Sequence, residues 1–278
     1  MDRYKLADVF ISYDESTLFW TDGKKVFFRG YEIKGADIES FEHFPGAWAK
    51  DKKGCYLVST KLRGADPLTF SVLNYTYAKD RSNVWTIGGR VEEADAETFE
   101  ICDDGKKSLG LQFEKSDKGE MIRYECIVPY GFAKDKNNVY YYDYQGKTKI
   151  VRKADATRFT SLNDSYFGYD EKNVFCGAAV IPKADPATWK KLRDKYYYSR
   201  DGNKVYYFNR LIKEADAETF EVVAIPNISG SPPQYAKDKN HHYNNDLICP
   251  EEKFEIDVNK DIRRNEKLEE LWKVSKPL

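Results

Sequence analysis

Residues 133–142 are AKDKNNVYYY, and related stretches stand at 49–57, 78–86, 199–208 and 236–244. An aspartate anchors each copy, with one aromatic residue three positions before it and another five positions after it. The anchors are Asp22, Asp51, Asp80, Asp135, Asp170, Asp201 and Asp238. A pattern that returns in one register indicates a repeat protein, in which each unit docks on the next in the same way.

The second half of each unit carries an Ala-Asp pair, whose Asp follows the anchor by fifteen residues in five units. A ring follows that Asp by four positions, and an aliphatic residue precedes the Ala by three. The fourth unit has five extra residues near DYQGK, and the seventh unit lacks this half. The pairs begin at Ala36, Ala65, Ala94, Ala154, Ala184 and Ala215.

Elementary chemistry assigns a role to each half. An anchor Asp beside Gly, Lys or Asn can accept backbone N–H groups, as in an Asx turn. The residues that follow it alternate with a period of two, which predicts a strand, and a short turn leads to a second strand. The Asp of the Ala-Asp pair is expected to cap a single helical turn. Each unit is therefore predicted to be a β-hairpin with a capped turn and a third strand.

These units predict an all-β fold made of six to seven stacked β-hairpin repeats of about 30 residues, elongated or curved. A propeller-like ring is the alternative, because seven units would allow closure. The repeat array is assigned to residues 1–250, with an inserted hairpin at 101–130. Residues 251–278 are predicted to form a C-terminal helical cap, with Asp257 or Asn259 as its N-cap.

The composition argues against several classes of function. Lys and Arg number 45 against 46 Asp and Glu, without a basic stripe for nucleic acid. No apolar run approaches the roughly 18 residues of a membrane span, and the N-terminus MDRYKLADVF has no signal-peptide core. Five cysteines without CxxC spacing suggest reduced thiols and a cytoplasmic location. We expect no metal, no cofactor and no enzymatic activity, because the common catalytic motifs are absent.

Repeated residues are expected to be structural, because one catalytic site needs one constellation whereas the anchor Asp and the Tyr recur in unit after unit. The alternative is a repeated ligand site, in which rings stack on choline or sugar. Such a site would require several exposed Tyr or Trp rings in a row.

The departures from the repeat are the better candidates for function, and the insertion between Glu100 and Gly131 is the first of them. It is interpreted either as a hairpin that extends the sheet or as a partner-binding arm. The C-terminal helix has the same two interpretations, a cap or a partner-binding element. The candidate partner-binding residues, chosen for lying outside the repeat pattern, are Asp103, Asp104, Phe113, Glu114, Asp117, Glu120, Tyr124 and Tyr144.

Tandem D-K-N-x-V-Y-Y units followed by A-D-x-x-T-F resemble the DKNYY-repeat family of bacterial proteins. The resemblance covers roughly residues 19–244 and departs from the motif at GCYL, NVWT and NHHYN. Proteins of this kind occur near secreted toxins. The resemblance therefore implies an immunity protein that, as a monomer, binds a cognate toxin 1:1 and occludes its active site. An envelope- or carbohydrate-binding repeat module is the alternative function.

Overall fold

The computed structural model describes residues 19–116, 118–228, 230 and 232–277, and its strands follow the repeats in order. In repeats 1 to 3 the strands are β1 (Phe19–Thr21), β2 (Val26–Phe28), β3 (Tyr31–Glu32), β4 (Glu42–Phe44), β5 (Trp48–Asp51), β6 (Gly54–Leu57), β7 (Thr60–Lys61), β8 (Ser71–Val72), β9 (Ala78–Lys79), β10 (Val84–Thr86) and β11 (Gly89–Arg90).

In repeats 4 and 5 they are β12 (Glu100–Ile101), β13 (Lys106–Lys115), β14 (Met121–Pro129), β15 (Gly131–Lys134), β16 (Val139–Tyr142), β17 (Lys149–Ile150), β18 (Thr160–Ser161), β19 (Phe167–Tyr169), β20 (Val174–Cys176) and β21 (Ala179–Val180). In repeats 6 and 7 they are β22 (Lys190–Lys191), β23 (Tyr198–Asp201), β24 (Lys204–Tyr207), β25 (Arg210–Ile212), β26 (Glu221–Val223), β27 (Tyr235–Lys237), β28 (His242–Asn244) and β29 (Leu247–Cys249). Helix α1 (Glu251–Val274) and strand β30 (Lys276–Pro277) complete the described chain.

Each repeat forms its own small antiparallel sheet. Repeats 2 to 7 have four strands each, and the described part of repeat 1 has three. The sheet of repeat 4 runs β12-β15-β16-β17, so that β13 and β14 lie outside it. The prediction of tandem β-hairpin repeats is confirmed, with a fourth strand that the sequence did not indicate. Within the described ranges none of these sheets closes into a barrel, and the propeller-like alternative stays a prediction.

Aromatic rings hold neighbouring repeats together. The ring that follows the Ala-Asp pair lies between the first ring of its own repeat and the second ring of the next repeat. Phe99, for example, lies 5.5 Å from Tyr77 and 5.6 Å from Tyr140 between ring centroids. Phe220 lies 5.4 Å from both Tyr198 and Tyr243. A unit alone would expose these rings to water, so stacking of the repeats supplies the hydrophobic driving force for folding.

The capped turn differs in detail from its prediction. Among the capped turns of the described repeats, a 3-10 helix forms only at Ile38–Ser40, where Asp37 accepts the Ser40 N–H. In the later repeats the equivalent Asp makes the same kind of bond within a plain turn, as Asp95 does with the Thr98 N–H at 3.0 Å. The cap is therefore common to these repeats, whereas the helical turn is not.

Helix α1 packs on the last repeat. Phe254 is buried against Ile225 and Tyr235 of repeat 7, and Val258 and Ile262 pack against the same cluster. The predicted N-caps were wrong, because the helix begins at Glu251, before either of them, and Phe254 already donates its N–H to the Pro250 carbonyl at 2.9 Å. In the part of the chain described, no helix is long and apolar enough to cross a membrane.

Candidate functional site

The anchor aspartates tie each repeat to the one before it. Asp135 accepts the N–H groups of Asn137 and Asn138 at Oδ1, at 2.7 and 2.8 Å. Its Oδ2 accepts the N–H of Asp95 in the preceding repeat and the Tyr140 hydroxyl, both at 2.8 Å. The same bond to the preceding repeat is made by Asp51, Asp80, Asp170, Asp201 and Asp238. The anchor is thus both a turn former and a staple between repeats.

The basic residue after the anchor strengthens this junction. Lys136 lies 2.7 Å from Asp95 of the preceding repeat and holds the pKa of that carboxyl at about 2. Lys239 does the same to Asp216, at 2.9 Å. Both residues of the D-K pair in the motif therefore have a structural role at the junction between repeats.

The repeated rings are not exposed. The ring before each anchor and, from the second repeat onward, the ring after it are buried between repeats. Tyr56, Tyr140 and Tyr243 also direct their hydroxyls onto anchor carboxylates. Sugar or choline would need a row of exposed rings to stack on, and the repeated rings of the described residues are buried instead. The carbohydrate-binding alternative was based on such a row and therefore loses its support.

The inserted hairpin does not extend the sheet of repeat 4. Strands β13 and β14 pair with each other and leave the array at the edge opposite the anchors, which we call the loop edge. The loop edge consists of the loop before the second strand and the turn after the third strand of each four-stranded repeat. Here the Ser165 hydroxyl donates to the Lys106 carbonyl at 3.1 Å, and the Asp104 N–H donates to Asn163 at 3.1 Å. The hairpin therefore packs on repeat 5 as it leaves repeat 4.

The far part of the hairpin is fixed to the C-terminus. Strand β14 pairs in parallel with β30 through Ile122 and Arg123. The Arg123 guanidinium donates to the carbonyls of Trp272 and Ser275 at the end of α1, and it lies 4.6 Å from the Trp272 ring centroid. A cation at the C-terminal end of a helix is favoured by the exposed carbonyls there. The hairpin is thus held at its base and near its tip.

Asp103, a candidate partner-binding residue, is committed to the base of the hairpin. Its carboxylate accepts the N–H groups of Phe132 at 2.7 Å and Gly105 at 3.0 Å, together with the Ser161 hydroxyl at 3.2 Å. Burial raises the pKa of Asp103 to about 6. Because three donors within the chain already satisfy the Asp103 carboxylate, this residue is not part of the proposed binding surface.

The buried carboxyl of Asp103 gives a testable pH dependence. Its folded pKa of about 6 lies above the ordinary value of 3.8, so the folded state binds the proton more tightly. Acidification from about pH 7 to about pH 5 should therefore stabilise the protein, and the gain should be lost as the pH rises through 6. The lowered pKa values of Asp95 and Asp216 matter only below about pH 4. In urea unfolding at the two pH values, Asp103→Asn should remove the gain; an unchanged gain would contradict this assignment.

The other candidate residues are spread over the hairpin and the neighbouring repeat. Glu114 accepts the Tyr124 hydroxyl at 2.7 Å, and Glu120 pairs with Lys276 at 2.6 Å. Phe113 lies opposite Arg123 in the hairpin register. Asp104 is exposed at the hairpin base, and Asp117 lies outside the described residues. The structure therefore does not bring these side chains into one site.

Tyr144 lies in a different place, at the border of a cleft of about 780 Å³ on the loop edge. This loop-edge cleft is formed by the hairpin base and by the last turns of repeats 4, 5 and 6. Its aromatic lining consists of Tyr130, Tyr141, Tyr144, Tyr166 and Phe208, and its charged lining consists of Lys107, Asp143, Lys149 and Arg210. A second cavity of about 430 Å³ lies between the hairpin and the loops of repeats 5 to 7, and Lys107 and Tyr166 line both.

Sequence reasoning missed most of the cleft. Tyr130 and Tyr166 stand just before the repeated rings Phe132 and Phe167, where an additional tyrosine was the only signal. Phe208 and Lys107 had no signal, because their proximity depends on how the hairpin crosses the repeats. In the described part of the chain, the cleft included, no group of three or more His, Cys, Asp or Glu residues lies close enough together to hold a metal ion.

Comparison with known proteins agrees with the repeat architecture. The model of the DKNYY family matches residues 48–210 and again residues 198–267. No curated protein and no solved structure matches the chain. The match to this family model is therefore the basis on which the chain is assigned to a family.

Proposed function

The chain belongs to the DKNYY family, and from this premise we propose that it is a non-enzymatic protein-binding protein. Within that class we propose an immunity protein that neutralises a bacterial toxin by occluding its active site. The complex would contain one monomer of this chain and one toxin molecule. A cytoplasmic location, where a toxin-producing cell needs protection, belongs to the same proposal.

One observation carries the proposal: both departures of repeat 4 from the repeat pattern border the same cleft. The inserted hairpin contributes Lys107 and Tyr130, and the five-residue insertion contributes Tyr144 and Gln145. Insertions in repeat proteins often lie on the binding face, because the repeats themselves supply only the framework. The loop-edge cleft is accordingly the surface we assign to the partner.

The chemistry of the cleft supports a protein partner. Tyrosine and arginine are enriched among the residues that contribute most to protein–protein affinity. Tyr144 is 51% exposed and sits in a left-handed backbone conformation with φ of 62°. The hairpin that forms one wall is held at both ends, so little ordering entropy would be lost on binding.

Co-purification from the native host tests the proposal. The full chain is tagged, and the products of neighbouring genes are expressed with it. We expect one neighbour, toxic when expressed alone, to co-purify in stoichiometric amount and to be silenced. Tyr144→Ala should weaken that complex at least about tenfold. Tyr31→Ala, which removes a 65% exposed tyrosine from repeat 1, is the matched control and should have no effect.

Two results would overturn the proposal. In one, no neighbouring product binds the purified chain at micromolar concentration. In the other, a partner binds, and Tyr144→Ala and Tyr31→Ala weaken it equally. The second result would leave a binding protein but would remove the loop-edge cleft as its binding surface.

A further inference from the structure

Lys107 occupies an unusual place at the centre of the loop-edge cleft. Its ammonium lies 4.9 Å from the ring centroid of Tyr130 and 4.5 Å from that of Tyr166. It also donates a hydrogen bond to the Tyr166 hydroxyl. Lys107 lines both cavities, and its ammonium lies between Tyr130 of the hairpin and Tyr166 of repeat 5.

The two other cations of the loop-edge cleft differ from Lys107 in one respect: each has a carboxylate of its own. Lys149 pairs with Asp143, and Arg210 pairs with Asp246 at 3.0 Å. In the second cavity, Lys191 pairs with Asp164 at 2.7 Å. Among the described residues, Lys107 forms no ion pair, and its ammonium donates to the hydroxyl of Tyr166, which carries no charge.

An ammonium without a carboxylate partner at this partly buried position destabilises the folded state. Burial lowers the pKa of Lys107, which means that the surroundings disfavour its charge. The two tyrosine rings offset part of that cost through cation–π attraction. A methionine of similar length would fill the same space without the charge, so packing does not explain why a lysine stands here.

We propose that Lys107 binds a carboxylate of the partner, so that the cleft recognises an acidic segment of a protein. This inference rests on the proposed function and specifies the chemistry of its binding surface. An ammonium has three N–H donors, and the bond to Tyr166 uses one of them. An entering Asp or Glu side chain would meet the remaining donors of Lys107, whereas the charges of Lys149 and Arg210 are already balanced by Asp143 and Asp246. The surrounding rings would exclude water and strengthen the ion pair.

Peptide selection against the full-length protein tests this proposal without knowledge of the partner. A phage-displayed library of linear peptides is selected on the wild-type chain and counter-selected on Lys107→Met. We expect the enriched peptides to share an Asp or Glu at one fixed position. Changing that residue to Asn or Gln in a synthetic peptide should weaken binding to the wild-type protein at least about tenfold. The same change should have little effect on binding to Lys107→Met.

Two comparisons separate binding from folding. Lys107→Met should unfold at the same temperature as the wild type or at a higher one, because it removes a disfavoured charge while keeping the volume. If that variant does not fold, Lys107→Gln takes its place, and the peptide-side change still tests the wild-type protein. Lys149→Met removes a cation of the same cleft that already has a carboxylate, and it is expected to bind the selected peptides within about threefold of wild type.

The outcomes also separate this inference from the proposed function. Enriched peptides without a common carboxylate, or acidic peptides that bind Lys107→Met as tightly as wild type, overturn the role of Lys107. If a protein partner binds in a Tyr144-dependent manner yet tolerates Lys107→Met, only the lysine inference fails. If neither a peptide nor a neighbouring gene product binds, both proposals fail together.

Discussion

Asp135→Ala should lower the free energy of unfolding by about 3–5 kcal/mol. The carboxylate is buried and accepts four hydrogen bonds, two from its own turn, one from Asp95 and one from Tyr140. Alanine leaves these donors without their acceptor, and each buried unpaired donor costs about 1–3 kcal/mol. Water can reach part of the turn, which limits the sum.

Two controls divide this loss into its parts. Asp22→Ala removes an exposed anchor that, among the described residues, accepts the N–H groups of Lys24 and Lys25, so it should cost about 1 kcal/mol or less. Tyr140→Phe removes one hydroxyl donor and leaves the bond to Asp95 in place, and it should cost about 1–1.5 kcal/mol. Equal losses at Asp22 and Asp135 would show that the anchor forms only its own turn.

Urea unfolding followed by circular dichroism and by tryptophan fluorescence measures these differences. Repeat proteins are stabilised by contacts between neighbours, so a broken junction between repeats 3 and 4 should also reduce cooperativity. We therefore expect the two probes to give coincident transitions for the wild type and separate transitions for Asp135→Ala. Of the five tryptophans, those at positions 20, 48 and 85 precede the junction, and those at positions 189 and 272 follow it.

The array was predictable because its information is local and repeated. The anchor and the two rings stand at a fixed spacing, the Ala-Asp pair follows at the same distance in five units, and one hydrogen-bond pattern recurs at the six junctions between the seven anchors. The prediction placed one strand between the ring that follows the Ala-Asp pair and the next anchor, where the structure has two. These strands are short: Ser71–Val72 and Ala78–Lys79 have two residues each. Two residues are too few to show an alternating pattern.

The hairpin was predictable as two strands but not in its placement. The alternation of Leu111 and Phe113 on one arm and of Ile122 and Tyr124 on the other is correct. The register places these two pairs on opposite faces, because Phe113 lies opposite Arg123 and a bulge interrupts the pairing near Gly110. Which face meets the repeats depends on contacts with repeats 5 to 7, which no local pattern encodes.

This placement reverses the expected chemistry of the binding surface. Five of the eight candidate residues chosen from the sequence are acidic side chains of the insertion. In the structure Glu114 and Glu120 already have partners within the chain, whereas the cleft beside the hairpin contains a lysine without a carboxylate. The proposed interface therefore presents a cation to an acidic partner.

Gly88→Ala should both destabilise the protein and disturb the cleft. A Cβ at this position would lie 2.1 Å from the Gly146 carbonyl oxygen and 2.9 Å from the Tyr142 ring. Backbone must move to relieve such an overlap, at a cost of about 1–3 kcal/mol. The displaced turn carries Tyr144, so we expect partner affinity to fall as it does in Tyr144→Ala. Faster trypsin cleavage after Lys147 in that turn should report the displacement without a partner.

Gly89→Ala is the matched control for this prediction, because it places the same methyl group one residue further along the chain. Gly89 has a φ of 109°, so alanine there should also cost about 1–3 kcal/mol, but its Cβ would meet nothing within 4 Å. If both variants lose similar stability while only Gly88→Ala loses affinity for the partner, that result would show that the position of the repeat 4 turn determines binding. If Gly88→Ala binds the partner as tightly as Gly89→Ala does, while trypsin confirms that its turn has moved, then Tyr144 does not contact the partner and the cleft assignment fails.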